Sequence, residues 1–283
     1  MDWWIEPFTD HQFMRNALAA GILVVVATSV VGTWVVLRGM SFLGDALAHG
    51  VLPGVAIAFL AGIDLTVGAL AAALAMVGGI HLVRTHSTLP EDTSIGILFV
   101  GFLALAVVIL SRSESYIGDL NSFLFGSITA VDNGDLFRQA VAAVISVVGV
   151  VVFYRAFLVM TFDETLARVM GLRPRLAHAA LLVLLAVAIV ASFETVGNLL
   201  VFAFLVAPPA SASLLVRRVP LIMGVAVVLG IVSVTVGLLI SWHHETAPGA
   251  TMALAAIVIF LAVLTGQALG QMVGHHKVRA VPS

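Results

Sequence analysis

Long apolar runs, broken by short polar punctuation, dominate this chain. A membrane-crossing helix needs ~20 mostly apolar residues. Runs of that kind cover roughly 13–37, 41–61, 66–83, 95–111, 136–160, 176–193, 196–216, 221–241 and 250–272. The pattern predicts an all-α polytopic membrane protein with about 8–9 transmembrane helices, of which 66–83 and 95–111 are the shortest. The stretch 113–133 is half polar and reads as an interfacial or re-entrant piece. No repeat and no Pro-rich or Ser-rich linker divides the chain, so residues 1–283 read as a single transmembrane domain.

Composition removes the competing classes. Only 10% of the residues are charged and 61% are hydrophobic, whereas a soluble domain carries ~25% charge. A soluble enzyme and a disordered chain are excluded, and a net charge of −2 offers no footprint for nucleic acid. The opening MDWWIEPFTDHQ has three acids and no Lys or Arg, the wrong start for a cleavable signal. Trp3 and Trp4 suit an interfacial anchor, so 1–12 reads as an extracytoplasmic interfacial segment.

Charge then orients the spans. With nine crossings, Arg38, Arg84, Arg168, Arg173, Arg175, Arg217, Arg218, Lys277 and Arg279 all fall on one side, which is cytoplasmic by the positive-inside rule. That puts the C-terminal tail, 273–283, inside. The other side collects Asp2, Glu6, Asp10, Asp64, Glu114, Asp119, Asp132, Asp135, Glu194 and Glu245, with Arg15, Arg112 and Arg138. An acidic outer face concentrates cations at an entrance.

Common catalytic and nucleotide-binding motifs are missing from the chain. There is no cysteine, so thiolate metal sites are excluded and any metal is held by imidazole or oxygen. The one lysine, Lys277, lies in the tail, so a phosphate-binding GxxxxGK[ST] loop does not occur. His243-His244-Glu245 begins like a zinc-protease helix, but Pro248 stands where HExxH needs its second histidine. The chain reads as a conduit without an active site of its own.

Span 41–61 carries the notable polar pair. Asp45 and His49 are four residues apart and share one helix face. A charged side chain at the bilayer centre costs ~2.5–3.5 kcal/mol on insertion scales and therefore faces a polar interior. Carboxylate and imidazole are also ligands for a divalent transition metal. Gly50 and Gly54 on the same helix allow close packing, and Pro53 removes a backbone donor. Glu194 and the cluster His243, His244, Glu245 are weaker outer metal candidates: Glu194 reads as a solvated loop residue or part of an outer gate, and the cluster reads first as a solvated turn, since adjacent side chains do not share a helix face. His81, His86, His178, His275 and His276 read as solvated or interfacial.

The loop 161–175 (TFDETLARVMGLRPR) predicts a short amphipathic cytoplasmic helix. Thr161 or Asp163 caps it, Glu164 lies in its first turn, and Leu166, Val169 and Met170 form an apolar stripe. Gly171 ends it and Pro174 blocks continuation. With Asp163 and Glu164 opposed to a lipid surface, the stripe suits a groove in a partner protein.

Several stretches resemble, in order, the manganese/zinc/iron permeases of ATP-binding-cassette importers: VLRGMSFLGDALAHGVLPGVAIAFLAG (36–62), LPEDTSIGILF (89–99), LNSFLFGSITAV (120–131), FDETLARVMGL (162–172), VGNLLVFAFLVAPPASASLL (196–215) and PGAT (248–251). The likeness runs over roughly 13–270. Ala48, Gly50, Gly39 and Ala207 depart from the commoner pattern by small substitutions. The resemblance implies a fold similar to cobalamin-type importer permeases and a homodimer enclosing one path. It implies a separate cytoplasmic ATP-binding subunit, docked on a coupling helix formed by Phe162, Asp163, Glu164, Leu166, Ala167, Val169, Met170 and Gly171. It also implies an extracytoplasmic metal receptor, a metal path lined by Asp45 and His49, and no permanently bound cofactor. The cargo would be Mn²⁺, Zn²⁺ or Fe²⁺, and the setting a prokaryotic plasma membrane. The competing readings are a secondary metal transporter without an ATPase and an importer of a metal chelate.

Overall fold

The structure is a computed structural model. It describes residue 4, residues 6–111 and residues 128–278, apart from the side chains of 91, 129, 194–196, 198–200 and 270–278. Trp3, Arg112, Glu114, Asp119, Arg279 and the polar stretch up to residue 127 therefore lie outside the described residues, as do the side chains of Glu194, His275, His276 and Lys277.

A short helix, α1 (Glu6–Asp10), leads into α2 (Gln12–Leu37), α3 (Ser41–Gly50), α4 (Leu52–Ala61), α5 (Leu65–His86) and α6 (Glu91–Leu110). A single 3₁₀ turn, Ile128–Ala130, precedes α7 (Asn133–Phe162) and α8 (Glu164–Val169). The chain closes with α9 (Pro174–Val196), α10 (Asn198–Leu215), α11 (Val219–His244) and α12 (Pro248–Val278). There is no strand among the described residues.

Among the described residues, eight crossings are long and apolar enough for a membrane, with α3 and α4 together as one. The remaining apolar run, α10, has 18 residues with Pro208 and Pro209 inside it. At 1.5 Å per residue such a helix spans ~27 Å, just under a ~30 Å hydrocarbon core. The two runs that looked short belong to full-length helices, because their polar ends are helical too. Asp64 caps α5, which continues through Arg84 and His86, and α6 starts at Glu91. Likewise the last helix continues past 272 to Val278.

Burial sorts centre from periphery. The most apolar windows of α2 and α9 are 67% buried, against 17% for α6 and α12. Helix α2 touches α7, α9, α10 and α11, and its Trp34 is fully buried, edge-on to Tyr154 and Phe157 of α7. Lipid tails are as apolar as leucine, so such helices associate by close packing and small residues. A Cβ on Gly54 of α4 would stand 2.6 Å from the Cβ of Ala72 and 2.8 Å from the carbonyl carbon of Gly68, both on α5. Helices α4 and α5 thus meet backbone to backbone.

The segment 41–61 breaks at Val51 into two helices. Pro53 falls in the first turn of α4, where its missing N–H is tolerated. Val51 keeps helical dihedrals (φ −77°, ψ −20°), so α3 and α4 still form one crossing.

Cross-element contacts gather the loops into two ends. At one end Arg38 after α2 meets His178 in α9, and Arg84 of α5 meets Glu164 of α8. At the other, Asp64 before α5 meets Arg138 of α7, and Asn16 of α2 donates to the carbonyl of Val131. Asp64 accepts from the backbone N–H groups of Thr66 and Val67 at 2.8 and 3.2 Å. The Val67 hydrogen bond, with further help from Thr66 and Arg138, holds its carboxyl below the usual carboxylate range. Asp64→Ala is expected to cost ~1 kcal/mol, the usual worth of an N-cap, seen as a lower unfolding temperature in detergent at neutral pH. A depressed folded-state value stabilises above the ordinary carboxylate pKa and loses its effect as pH falls through the carboxylate range. The difference between wild type and variant should therefore vanish at acid pH.

Candidate metal path and docking helix

The metal candidates sit on α3, which begins after a tight reversal. Gly39 has φ +67°, a left-handed conformation that glycine adopts without steric cost, and its N–H and that of Met40 bond back to Val36 and Val35 of α2. The reversal sends α3 into the bundle against α5, α6, α9 and α10. Leu43, Gly44, Ala46, Leu47, Ala48 and Gly50 are buried there.

One stripe of α3 stays uncovered within the single chain. Phe42 is exposed, Asp45 is 38% exposed and His49 is 21% exposed, spaced as one helix face. His49 Nε2 lies 3.7 Å from Asp45 Oδ1, too long for a firm hydrogen bond and short enough for two groups that share one cation. Phe99 of α6 closes one flank, edge-on to His49 at 5.9 Å and to Phe42 at 5.9 Å. Sequence reasoning missed Phe99 as a neighbour of the pair, although it ends the LPEDTSIGILF stretch.

The other candidates are not brought to this pair. His243 points Nδ1 at the carbonyl of Leu239, 2.7 Å away, at the far end of α11. His244 and Glu245 are exposed, and Glu245 takes a left-handed conformation (φ 51°) as it terminates α11. A 260 Å³ cleft there is lined by Glu6, Asp10, His11, Trp242 and His243. No group of three or more His, Asp or Glu side chains that could hold a metal occurs among the described residues of one chain. His178, which reads from the sequence as interfacial, lies at the basic end and is buried there (2% exposed). Its Nδ1 accepts from Arg38 at 3.0 Å, since a guanidinium only donates.

The loop 161–175 forms α8 at the basic end. Asp163 caps it, accepting from the Leu166 N–H at 2.9 Å. At its close Gly171 takes φ +71° and bonds to Arg168, while Leu172 bonds to Ala167, a paired closure that needs the left-handed residue. Ala167 is buried, and Leu166, Val169 and Met170 are exposed, as is Phe162 at the end of α7. Glu164 receives hydrogen bonds from Arg168 at 2.9 Å and Arg84 at 3.4 Å. The Arg168 bond first, against the opposing effect of burial, and then the charges of Arg84, Arg168 and Arg38 hold the Glu164 carboxyl below its usual range.

The fold is that of a helical membrane protein, with an uncovered stripe on α3 bearing Asp45 and His49 and a short exposed helix, α8, at the basic end. The description "ABC 3 transport family" matches residues 10–267, and the chain belongs to that family. It is 37% identical over 257 residues to the manganese transport system membrane protein MntC of Listeria innocua, covering 91% of each chain. It is 34% identical to the manganese import system permease protein ScaB of Streptococcus gordonii, covering 91% of this chain and 92% of that one. It is also 35% identical to a probable iron transport system membrane protein of Haemophilus influenzae, covering 93% and 96%. A structure of PsaBC from Streptococcus pneumoniae in complex with Fab aligns at TM-score 0.81 and 32% identity, over 92% of this chain and 94% of that one. A metal-chelate type ABC transporter in an inward-facing conformation aligns at TM-score 0.72 and 15% identity, over 89% and 85%, a likeness of fold alone.

Proposed function

We propose that this chain is the permease subunit of an ATP-binding-cassette importer that brings a divalent transition metal, foremost manganese, into a prokaryotic cytoplasm. The carrying observation is the placement of Asp45 and His49. They are the ionisable groups of an intramembrane helix whose other face is buried, and with Phe42 they occupy its uncovered stripe. Leaving such groups to lipid is costly, so another surface covers them. A second copy does so with chemical sense. Each chain supplies one carboxylate and one imidazole, and two chains supply four ligands, a set that suits Mn²⁺ or Zn²⁺. The relatives named for manganese and iron support this cargo class.

The chain itself has no ATPase motif, and hydrolysis belongs to a separate cytoplasmic subunit seated on Phe162, Leu166, Val169 and Met170. The positive-inside rule puts that docking end and the C-terminus in the cytoplasm. Metal reaches the acidic outer end from an extracytoplasmic receptor. ATP binding closes the two ATPase subunits, their motion moves α8, and the Asp45/His49 path opens alternately to each side.

The test is whole-cell metal content in cells stripped of their own importers, expressing the chain with its ATPase and receptor. Manganese should rise with wild type. With Leu166→Asp/Met170→Asp the rise should disappear and the ATPase should no longer co-purify. Manganese accumulation that survives the double variant, with or without the ATPase, would favour a secondary transporter. No metal rising with the wild type would favour a chelate cargo.

A further inference from the structure

We propose that Arg84 is a positioning residue for transport: its ion pair with Glu164 makes α5 the strut that carries movement of the docking helix to the helix bearing Asp45 and His49. This rests on the docking and metal-path readings above and adds the link between them.

Three observations carry it. First, Glu164 divides its carboxylate. Oε1 accepts from Arg168 one turn along α8 at 2.9 Å, and Oε2 accepts from Arg84 of α5 at 3.4 Å. The Arg168 bond holds the rotamer, which leaves the second oxygen aimed at a different element. Helix α8 has only six residues and follows α7 directly. Its Glu164 therefore gives it a lateral tie in addition to its chain connections.

Second, Arg84 lies on the ridge by which α5 packs. Gly68, Ala72, Met76, Ile80 and Arg84 recur every four residues, and residues so spaced form one ridge of a helix surface. Gly68 meets the backbone of Gly54 in α4, and Ala72 lies against the same glycine. The Met76 sulfur occupies the space where a Cβ on Gly50 would stand, next in sequence to His49. Ile80 is fully buried. The ridge that ends at the docking helix thus begins against the metal-bearing crossing.

Third, the contact of Gly68 with Gly54 on this ridge leaves little slack. Packed helices respond to displacement as units, and a backbone-to-backbone contact leaves no flexible side chain to absorb it. The ion pair itself is partly exposed, at 30% and 37%, so it adds little to stability. Its loss should spare the fold and show in coupling.

A competing route runs through the chain itself, from α8 into α9, which also packs on α3 and α5. The experiment separates the two. The permease, its ATPase and its receptor are reconstituted in proteoliposomes, and manganese uptake and ATP hydrolysis are measured together. Arg84→Gln should keep the ATPase bound and hydrolysing while manganese moved per ATP falls by about fivefold or more, within the range of coupling contacts. Arg84→Lys should recover most of the ratio. An unchanged ratio in Arg84→Gln would overturn the proposal in favour of the route through α9. An equal loss in Arg84→Lys would overturn it as well, because charge would not be the link. Dissociation of the ATPase from Arg84→Gln would make the pair part of docking and likewise overturn it. Failure of the docking reading shows separately, as an ATPase retained by Leu166→Asp/Met170→Asp.

Discussion

Asp45→Asn and His49→Ala are each expected to lower manganese uptake by about 100-fold or more, because even outer partners of metal ligands are worth ~10–100-fold in affinity. The reason lies in how few groups one chain contributes. Asp45 and His49 stand 3.7 Å apart on α3, and the described residues of one chain hold no group of three or more ligating side chains. Two copies sharing one ion would each lose half of their contribution on a single substitution. Asparagine keeps the size of aspartate while removing its charge and turning one acceptor oxygen into an NH2 donor, so packing of α3 should survive. The check is uptake of radioactive manganese beside the amount of ATPase that co-purifies. Loss of uptake with the ATPase still bound would place the substitution in the metal path. Wild-type uptake by both variants would remove the pair from the path.

Gly54→Ala, a change of one methyl group, should destabilise the fold by more than the ~1–3 kcal/mol typical of an overpacked core. Most overpacking is relieved by a side chain that turns aside. Here the added carbon would stand 2.8 Å from the carbonyl carbon of Gly68 and 2.6 Å from the Cβ of Ala72, so α4 and α5 must separate. Gly78→Ala on α5 is the matched control. Nothing lies within 4 Å of a Cβ there, and the helix gains up to ~1 kcal/mol from replacing glycine. Thermal unfolding in detergent should show a large loss for Gly54→Ala and no loss for Gly78→Ala. Equal unfolding temperatures would mean that α4 and α5 are not in backbone contact in the protein.

Much of this architecture was legible in the residues. Apolar runs of near-bilayer length announced the crossings, because the hydrocarbon core sets a length that one helix must meet. Asp45 and His49 stood out because ionisable groups are costly there. Asp163 and Gly171 marked the ends of α8 because caps and left-handed closures need those residue types. The ends of α5 and α6 were not legible from hydropathy, since polar residues such as Arg84, His86 and Glu91 continue a helix as readily as apolar ones. The partner of His178 was not legible either, because Arg38 lies 140 residues away along the chain.

The sequence by itself determined that this is a multi-crossing membrane conduit, which end is basic, and which helix carries Asp45 and His49. All of these follow from local properties: length, hydropathy, charge and helical periodicity. Tertiary structure alone decided that the pair lies on the uncovered stripe of a buried helix beside Phe99, that Gly54 meets Gly68, and that Glu164 reaches Arg84. These depend on which helix faces stand opposite one another. In lipid that choice is made by the fit of small residues and a few polar contacts between distant parts of the chain, and periodicity within one helix carries no record of its neighbour.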